Sequence, residues 1–254
     1  MMRFASLGSG SSGNALLVEV NHTRVLIDCG FNFKQTQKRL ERLGMAPSDI
    51  NAVLLTHEHS DHVGGVAAFV AKTNASVFMS YGTHQALNGN AADWRVSLFD
   101  SHEVITVGDL HITPFPVPHD ARQPVQFILS DGAKQLAIMT DLGKITGCAQ
   151  RHIDNVDAIV IECNHDATML KNGPYPEHLK KRIRGDFGHL ENDDAANALL
   201  AMNTAKLRHV VAAHLSRHNN CPLKVREKLS QALNCTPDWI GVADQQTGFD
   251  WREI

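Results

Sequence analysis

Apolar residues along the chain gather in short runs broken by polar turns, and the spacing within each run predicts its element. Phe4–Leu7, Asn14–Val20 and Arg24–Ile27 have the apolar density of strands, the last two joined by a hairpin at Asn21-His22. Phe33, Leu40 and Leu43 share one face of a helix expected from about Asn32 to Leu43, which Gly44 stops. Ala52–Thr56 reads as a strand, and Gly64-Gly65 before Val66–Val70 as a helix start. Ser76–Met79 predicts a strand, Thr83–Leu87 a short helix, and Val96–Leu98, Val104–Thr106 and Leu110–Phe115 further strands, with turns at Gly108-Asp109 and Asp131-Gly132. Strands at Gln135–Thr140, Ala158–Glu162 and His209–Ala213 then alternate with helices over Pro176–Arg184, Asp193–Met202 and Pro222–Leu233. Ile240–Ala243 and Gly248–Trp251 are expected to close the chain as a strand pair.

Chemistry concentrates where the apolar runs end. His57-Glu58-His59-Ser60-Asp61-His62 follows the strand Ala52–Thr56, and so many ligand-type side chains on one strand-to-helix loop point to a metal site. A polar surface turn would not place them behind a buried strand, because buried ionisable groups need partners. Asp28 ends Val25-Leu-Ile-Asp28, His119 ends Pro116-Val-Pro-His119, Asp141 follows Leu136–Thr140 and His214 follows Val210–Ala213. Open α/β sheets place their site residues at such strand ends.

The order Asp, HxHxDH, His, Asp, His resembles the ligand series of the metallo-β-lactamase superfamily and spans nearly the whole chain. That resemblance implies a four-layer αββα sandwich. It puts His57, His59 and His119 on one metal, Asp61, His62 and His214 on a second, and Asp141 between them, with Asp28 orienting a ligand imidazole. It implies two divalent ions, Zn²⁺ or Mn²⁺ with Fe²⁺ also compatible, and hydrolysis by a hydroxide bridging the two metals, with Asp61 at the catalytic centre. His189, in Phe187-Gly-His-Leu-Glu-Asn192, resembles the histidine on the loop before a helix in superfamily nucleases, and is the candidate to protonate the leaving oxygen. His165 is a second, weaker candidate at the site. Gly8-Ser-Gly-Ser-Ser-Gly-Asn14 offers Ser11, Ser12, Asn14 and backbone amides to a phosphate, although it lacks the lysine and helix of a P-loop. Ser216, Asn219 and Asn220, just past His214, are further candidates for the site wall.

Leu7–Asn14, Glu162-Cys-Asn-His-Asp166, Lys171-Asn-Gly-Pro-Tyr-Pro176, Gly188-His-Leu190 and His214-Leu-Ser216 together resemble the bacterial YycJ/WalJ group, whose members are similar to metal-dependent DNA exonucleases. Glu191 departs from that group, where a serine is expected, and adds negative charge beside the proposed phosphate site. The resemblance to that group favours a DNA substrate. The alternatives are a phosphodiesterase for cyclic or nucleotide substrates, a thioesterase, and a non-enzymatic regulatory protein stabilised by its metals.

Bulk properties narrow this only slightly. At 254 residues, 43% hydrophobic and 20% charged, the chain suits one domain over residues 1–254, ordinary and globular. A net charge of −3 argues against indiscriminate nucleic-acid binding, but two divalent ions would add positive charge that a residue count misses. Lys171, Lys180-Lys-Arg182 and Arg184 form either a solvated helix face or a track for a nucleic-acid backbone. Five cysteines without a CxxC pair argue against a disulfide framework, and Cys29 and Cys163 are expected to be small buried residues. No signal peptide or membrane-spanning stretch is present, so a cytoplasmic location is expected. The sequence leaves the oligomeric state open.

Overall fold

The computed structural model describes all 254 residues. In one sheet, β1 (Met2–Gly8), β2 (Ala15–Val20) and β3 (Thr23–Ile27) form an antiparallel meander, and β4 (Ala52–Leu54), β5 (Ser76–Ser80) and β6 (Val96–Phe99) continue parallel to β3. The other sheet repeats the plan. Here β7 (Ile105–Val107), β8 (Leu110–Pro116), β9 (Val125–Ser130) and β10 (Gln135–Met139) are antiparallel, and β11 (Ala158–Glu162), β12 (His209–Ala213) and β13 (Gly241–Val242) run parallel to β10. Finally β14 (Phe249–Glu253) returns to the first sheet beside β1, giving seven strands in each.

Parallel strands need crossovers, and helices supply them. In the first sheet these are α1 (Phe33–Arg42), α2 (Ser60–Val63), α3 (Val66–Val70) and α4 (Tyr81–Ala86). In the second they are α5 (Gly147–Ile153), α6 (Ala167–Asn172), α7 (Glu177–Arg184), α8 (Asn192–Leu200) and α9 (Pro222–Leu233). Local chemistry fixes several of their ends. Asn32 accepts from the Gln35 amide at the start of α1, and Asn234 adopts a left-handed conformation after α9.

Three apolar cores separate the layers. Leu16, Val18 and Val20 of β2 point between the sheets and meet a core shared with Phe127, Ile138 and Val160. Ala15 and Leu17 of the same strand point the other way, toward Leu40 and Phe69 on the helices. The second sheet likewise packs Met139, Ile159 and Ala212 against Ala195, Leu199 and Leu229. A strand buried on both faces reads as a continuous apolar run, which is why Ala158–Ile161 and Val210–Ala213 lack visible alternation. The result is the expected αββα sandwich. No helix is long and apolar enough to cross a membrane.

Two features differ from expectation. The strand pair at the C-terminus does not form: β13 covers the edge of β12 while β14 covers the edge of β1, and only an isolated bridge joins Asp244 to Gly248. Each sheet has an open edge to satisfy, and the turn between the two strands is held by Asp244 Oδ1, which accepts from the amides of Gln246 and Thr247. The helices α5 and α6 and the strand β9 are additional elements. Within β9, Gln126 breaks the apolar pattern but is 1% exposed, with its amide accepting from the Thr140 backbone N–H.

Glu19 illustrates how the first sheet is tied across its strands. It stands opposite Arg3 on β1 and Arg24 on β3, whose Nε atoms donate to its carboxylate at 2.6 and 2.5 Å. Burial would raise its pKa, but hydrogen bonds from the two guanidinium groups outweigh burial and hold the carboxyl below its usual value. A depressed pKa contributes stability above the unfolded value, about 4.3, and that contribution is lost as pH falls through the folded value. Glu19→Gln is therefore expected to cost about 1.5–3 kcal/mol at pH 7, with the gap to the native protein narrowing below about pH 4. Urea midpoints at the two pH values test this, and a gap independent of pH would count against it.

Candidate metal centre

The parallel strands of both sheets end on the same side of the sandwich, and the strand-end residues converge there. Asp28 follows β3, Thr56-His57 lies beyond β4, Asp141 follows β10, Glu162 ends β11 and His214 follows β12. Asp28, Asp141 and His214 all have left-handed backbones, with φ of 62°, 55° and 55°. Non-glycine residues there carry backbone strain of about 1–3 kcal/mol. In each the strain turns the chain at the strand end while the side chain stays in the site. The two loops of the first sheet then pass in direct contact. A Cβ on Gly30 would lie 1.7 Å from the Asp61 carbonyl oxygen, and one on Gly65 1.8 Å from that of Phe31. Only glycine permits this approach.

Four overlapping groups of donor atoms result, one of them Asp141, Glu162, His189 and His214. Of two that share no residue, His57, His59 and His119 form one, and Asp61, His62 and His214 the other, with the donor atoms of each within 4.8 Å of one another. In the first, His119 Nε2 and His59 Nδ1 aim at a common point 3.3 Å apart. In the second, His62 Nε2 lies 3.5 Å from Asp61 Oδ2 and 3.0 Å from Asp141 Oδ2. Asp141 also groups with His57 and His62, so its carboxylate stands between the two clusters. His57 Nε2 and His214 Nε2 are buried without any hydrogen-bond partner. Such orphans are costly, and a divalent cation would satisfy both. The imidazole and carboxylate donors also suit Zn²⁺ and Mn²⁺.

The opposite ring nitrogens are all engaged. His62 Nδ1 donates to Asp28 Oδ2 at 2.8 Å, and Asp28 also accepts from the backbone and hydroxyl of Thr56. The Thr56 hydroxyl is in turn 2.9 Å from His57 Nδ1. His119 Nδ1 donates to the Gly188 carbonyl at 3.0 Å. Glu162 is the counterpart of Asp28 in the second sheet. Fully buried, its Oε1 accepts from His214 Nδ1 at 2.9 Å and His189 Nδ1 at 2.8 Å, and its Oε2 from the backbone of Leu142 and Leu190. These contacts fix which nitrogen of each ring faces the cluster.

Electrostatics follow the same division. Burial holds His57 well below its ordinary pKa, so the ring is neutral. Burial also opposes charge on His62 and His214, but Asp141 beside both outweighs it, raising His62 strongly and pushing His214 up to about 10. Burial would likewise raise Glu162, yet the His189 charge and hydrogen bonds from His189 and His214 bring it down to about 2. The pocket is thus an anionic field that must be met by protons or by metal ions.

The remaining candidates are placed as follows. His189 lies edge-on to His119 and tilted against His214 and is held by Glu162, with Asp141 Oδ1 3.3 Å away. The Asn14 amide reaches Asp61 Oδ2 and His62 Nε2 at 3.2 and 3.1 Å. Ser11 and Ser216 line a cavity beside His189. Ser12 is exposed, and only its backbone N–H is tied, to Gln245. His165 joins neither cluster, and burial lowers it to about 4. Asn219 is fully buried and donates to Ser216 Oγ, while Asn220 donates to the Cys163 carbonyl, so both brace the His214 loop. Cys29 is buried, its thiol pushed up to about 12 by that burial, and Cys163 is buried beside Glu162. Lys180 points inward to the Lys171 carbonyl at 2.8 Å, leaving Lys181, Arg182 and Arg184 as the exposed basic face. Glu162, Thr56 and Asp120, whose carbonyl oxygen lies 3.2 Å from His59 Nε2, were not expected from the sequence. Glu162 does carry the signal that marks Asp28 and Asp141, an acid ending an apolar strand.

A family model described as a beta-lactamase superfamily domain matches residues 23–215. The metallo-β-lactamase fold protein YhfI from Bacillus subtilis superposes with a TM-score of 0.76 at 16% identity, over all of both chains. Fold, donor set and family model together place this chain in the metallo-β-lactamase superfamily. It is 34% identical over 235 residues to exodeoxyribonuclease YycJ of Bacillus anthracis, covering 91% of this chain and 89% of that protein. To exodeoxyribonuclease WalJ of Streptococcus pneumoniae it is 33% identical over 223 residues, covering 86% and 83%. Within the superfamily the chain is a member of the YycJ/WalJ group.

Because Glu162 touches both His214 and His189, Glu162→Gln is expected to weaken metal binding by about 10–100-fold while leaving the fold intact. Chelator competition against the native protein measures this, with circular dichroism as the fold control. Unchanged affinity would mean that His214 is held without Glu162.

Proposed function

We propose that this chain is a metal-dependent DNA exonuclease working as one catalytic domain over residues 1–254. The observation that carries the reading is the pair of donor clusters meeting at the buried Asp141. Donors from both sheets are needed to build it, which supports a single working unit. His57, His59 and His119 would hold one divalent ion, Asp61, His62 and His214 a second, and Asp141 would serve both, with Zn²⁺ or Mn²⁺ as the occupants. The relatives named exodeoxyribonucleases, at 33–34% identity, support DNA as the substrate. When bound, such a metal pair supplies positive charge that polarises a phosphodiester and acidifies an attacking water.

The protein's own groups account for the rest. Asp28 and Glu162 orient His62 and His214, and the Asn14 amide steadies Asp61. His189 is one-quarter exposed at its side chain, and its Nδ1 is fixed on Glu162, so Nε2 is the atom left to act. It donates a proton to the leaving oxygen of the cleaved bond. In an empty centre the carboxylates of Asp61, Asp141 and Glu162 are offset by the protons that His62 and His214 retain, so the positive charge that attracts a polyanion comes with the metals.

Metal-loaded protein incubated with end-labelled single- and double-stranded DNA and RNA is expected to shorten DNA progressively from an end. Asp141→Ala is expected to abolish this, and His189→Gln to lower kcat by about 10²–10⁴-fold with less effect on KM. If no polymer is cleaved while the metals are verified in place, the substrate is a small phosphodiester or thioester instead.

A further inference from the structure

A cavity of about 200 Å³ opens beside the metal centre and shares His189 and Gly188 with it. Its lining has two characters. Tyr175, Leu179 and Ile183, from α7 and the segment before it, make an apolar wall, and Ser11, Asn164 and Ser216 supply uncharged polar groups. Asp120 and Arg182 add an ion pair.

That ion pair is unusually committed for a surface arginine. Arg182 Nε and Nη2 both lie 2.6 Å from Asp120 Oδ2, which leaves Nη1 without a protein partner. The side chain is nevertheless 63% exposed. Asp120 is itself anchored at the metal centre, with Oδ1 3.4 Å from His119 Nε2 and its carbonyl oxygen 3.2 Å from His59 Nε2. The guanidinium is therefore held at a set distance from the reacting position, with donors to spare, as a bidentate anion site requires. The cavity is smaller than the ~300–1,000 Å³ of pockets for larger ligands. That volume takes part of one nucleotide and excludes a run of strand.

We infer that this cavity seats the terminal nucleotide of a DNA strand, with Arg182 gripping a phosphate of that nucleotide and Tyr175 packing on its nucleoside. Building on the exonuclease reading, this assignment adds the residues that make cleavage end-directed. Arg182 and Tyr175 bind substrate and take no part in proton transfer.

Calorimetric titration of the metal-loaded protein with deoxynucleoside 3′- and 5′-monophosphates and with inorganic phosphate tests the assignment. The variants are Arg182→Ala, Arg182→Lys and Tyr175→Ala, each checked for metal content. At least one monophosphate is expected to bind more tightly than inorganic phosphate. Arg182→Ala should weaken it about tenfold or more, and Arg182→Lys should not restore it. Tyr175→Ala should weaken the monophosphate about tenfold while sparing inorganic phosphate. In degradation assays both alanine variants should act mainly by raising KM for DNA ends. If the native protein shortens DNA from its ends but the alanine variants bind monophosphates as it does, the cavity assignment falls and the exonuclease reading stands. Equal affinity for inorganic phosphate and monophosphates also overturns the assignment. Monophosphate binding with the expected variant pattern, but no polymer shortened, keeps the cavity assignment and overturns the exonuclease reading. Neither binding nor shortening overturns both.

Discussion

Six imidazoles and three carboxylates meet at one end of the seam between the sheets, and that much ionisable chemistry can be buried only if the groups compensate one another. Two further contacts make the compensation directional. Asp28 in the first sheet and Glu162 in the second each hold the far nitrogen of a histidine, His62 and His214, and each is tied down by backbone amides. The near nitrogens are thereby aimed at one volume before any ligand arrives. The rigidity of the cores behind the strands matters because these carboxylates stand on strand ends.

The two sheets contribute in parallel ways. Each begins as an antiparallel meander and passes into a parallel half, and the ends of the parallel strands supply most of the donors, while His119 comes from the loop between antiparallel β8 and β9. A single sheet could supply a strand-end acid and a histidine, but not both donor groups. The centre exists because two such sheets are stacked with their parallel ends on the same side.

Most of this arrangement was legible in the sequence, and for a specific reason. His57, Asp141 and His214 follow apolar runs directly, so position relative to a strand end marks them without any knowledge of contacts. The αββα layering was less visible, since strands buried on both faces do not alternate, and the superfamily resemblance carried that expectation. Glu162 was passed over although it obeys the same strand-end pattern as Asp28. Other features had no local signal. The contact of Gly30 with Asp61 joins segments far apart in the chain, and the separation of β13 from β14 depends on which sheet edges remain open. Asp120 lies beside a ligand in sequence, but its role depends on Arg182, 62 positions away.

The left-handed backbones of Asp28, Asp141 and His214 have an implication for how such a chain changes over time. Glycine would relax each of these positions, and asparagine would be better tolerated there than most other residues. Relief of strain and retention of the donor atoms therefore pull in opposite directions. A lineage that kept this fold for stability alone would gain by losing these three side chains early, well before its apolar cores began to drift. Those three strand ends thus combine the turn that a glycine would make with a carboxylate or imidazole that a glycine would lack.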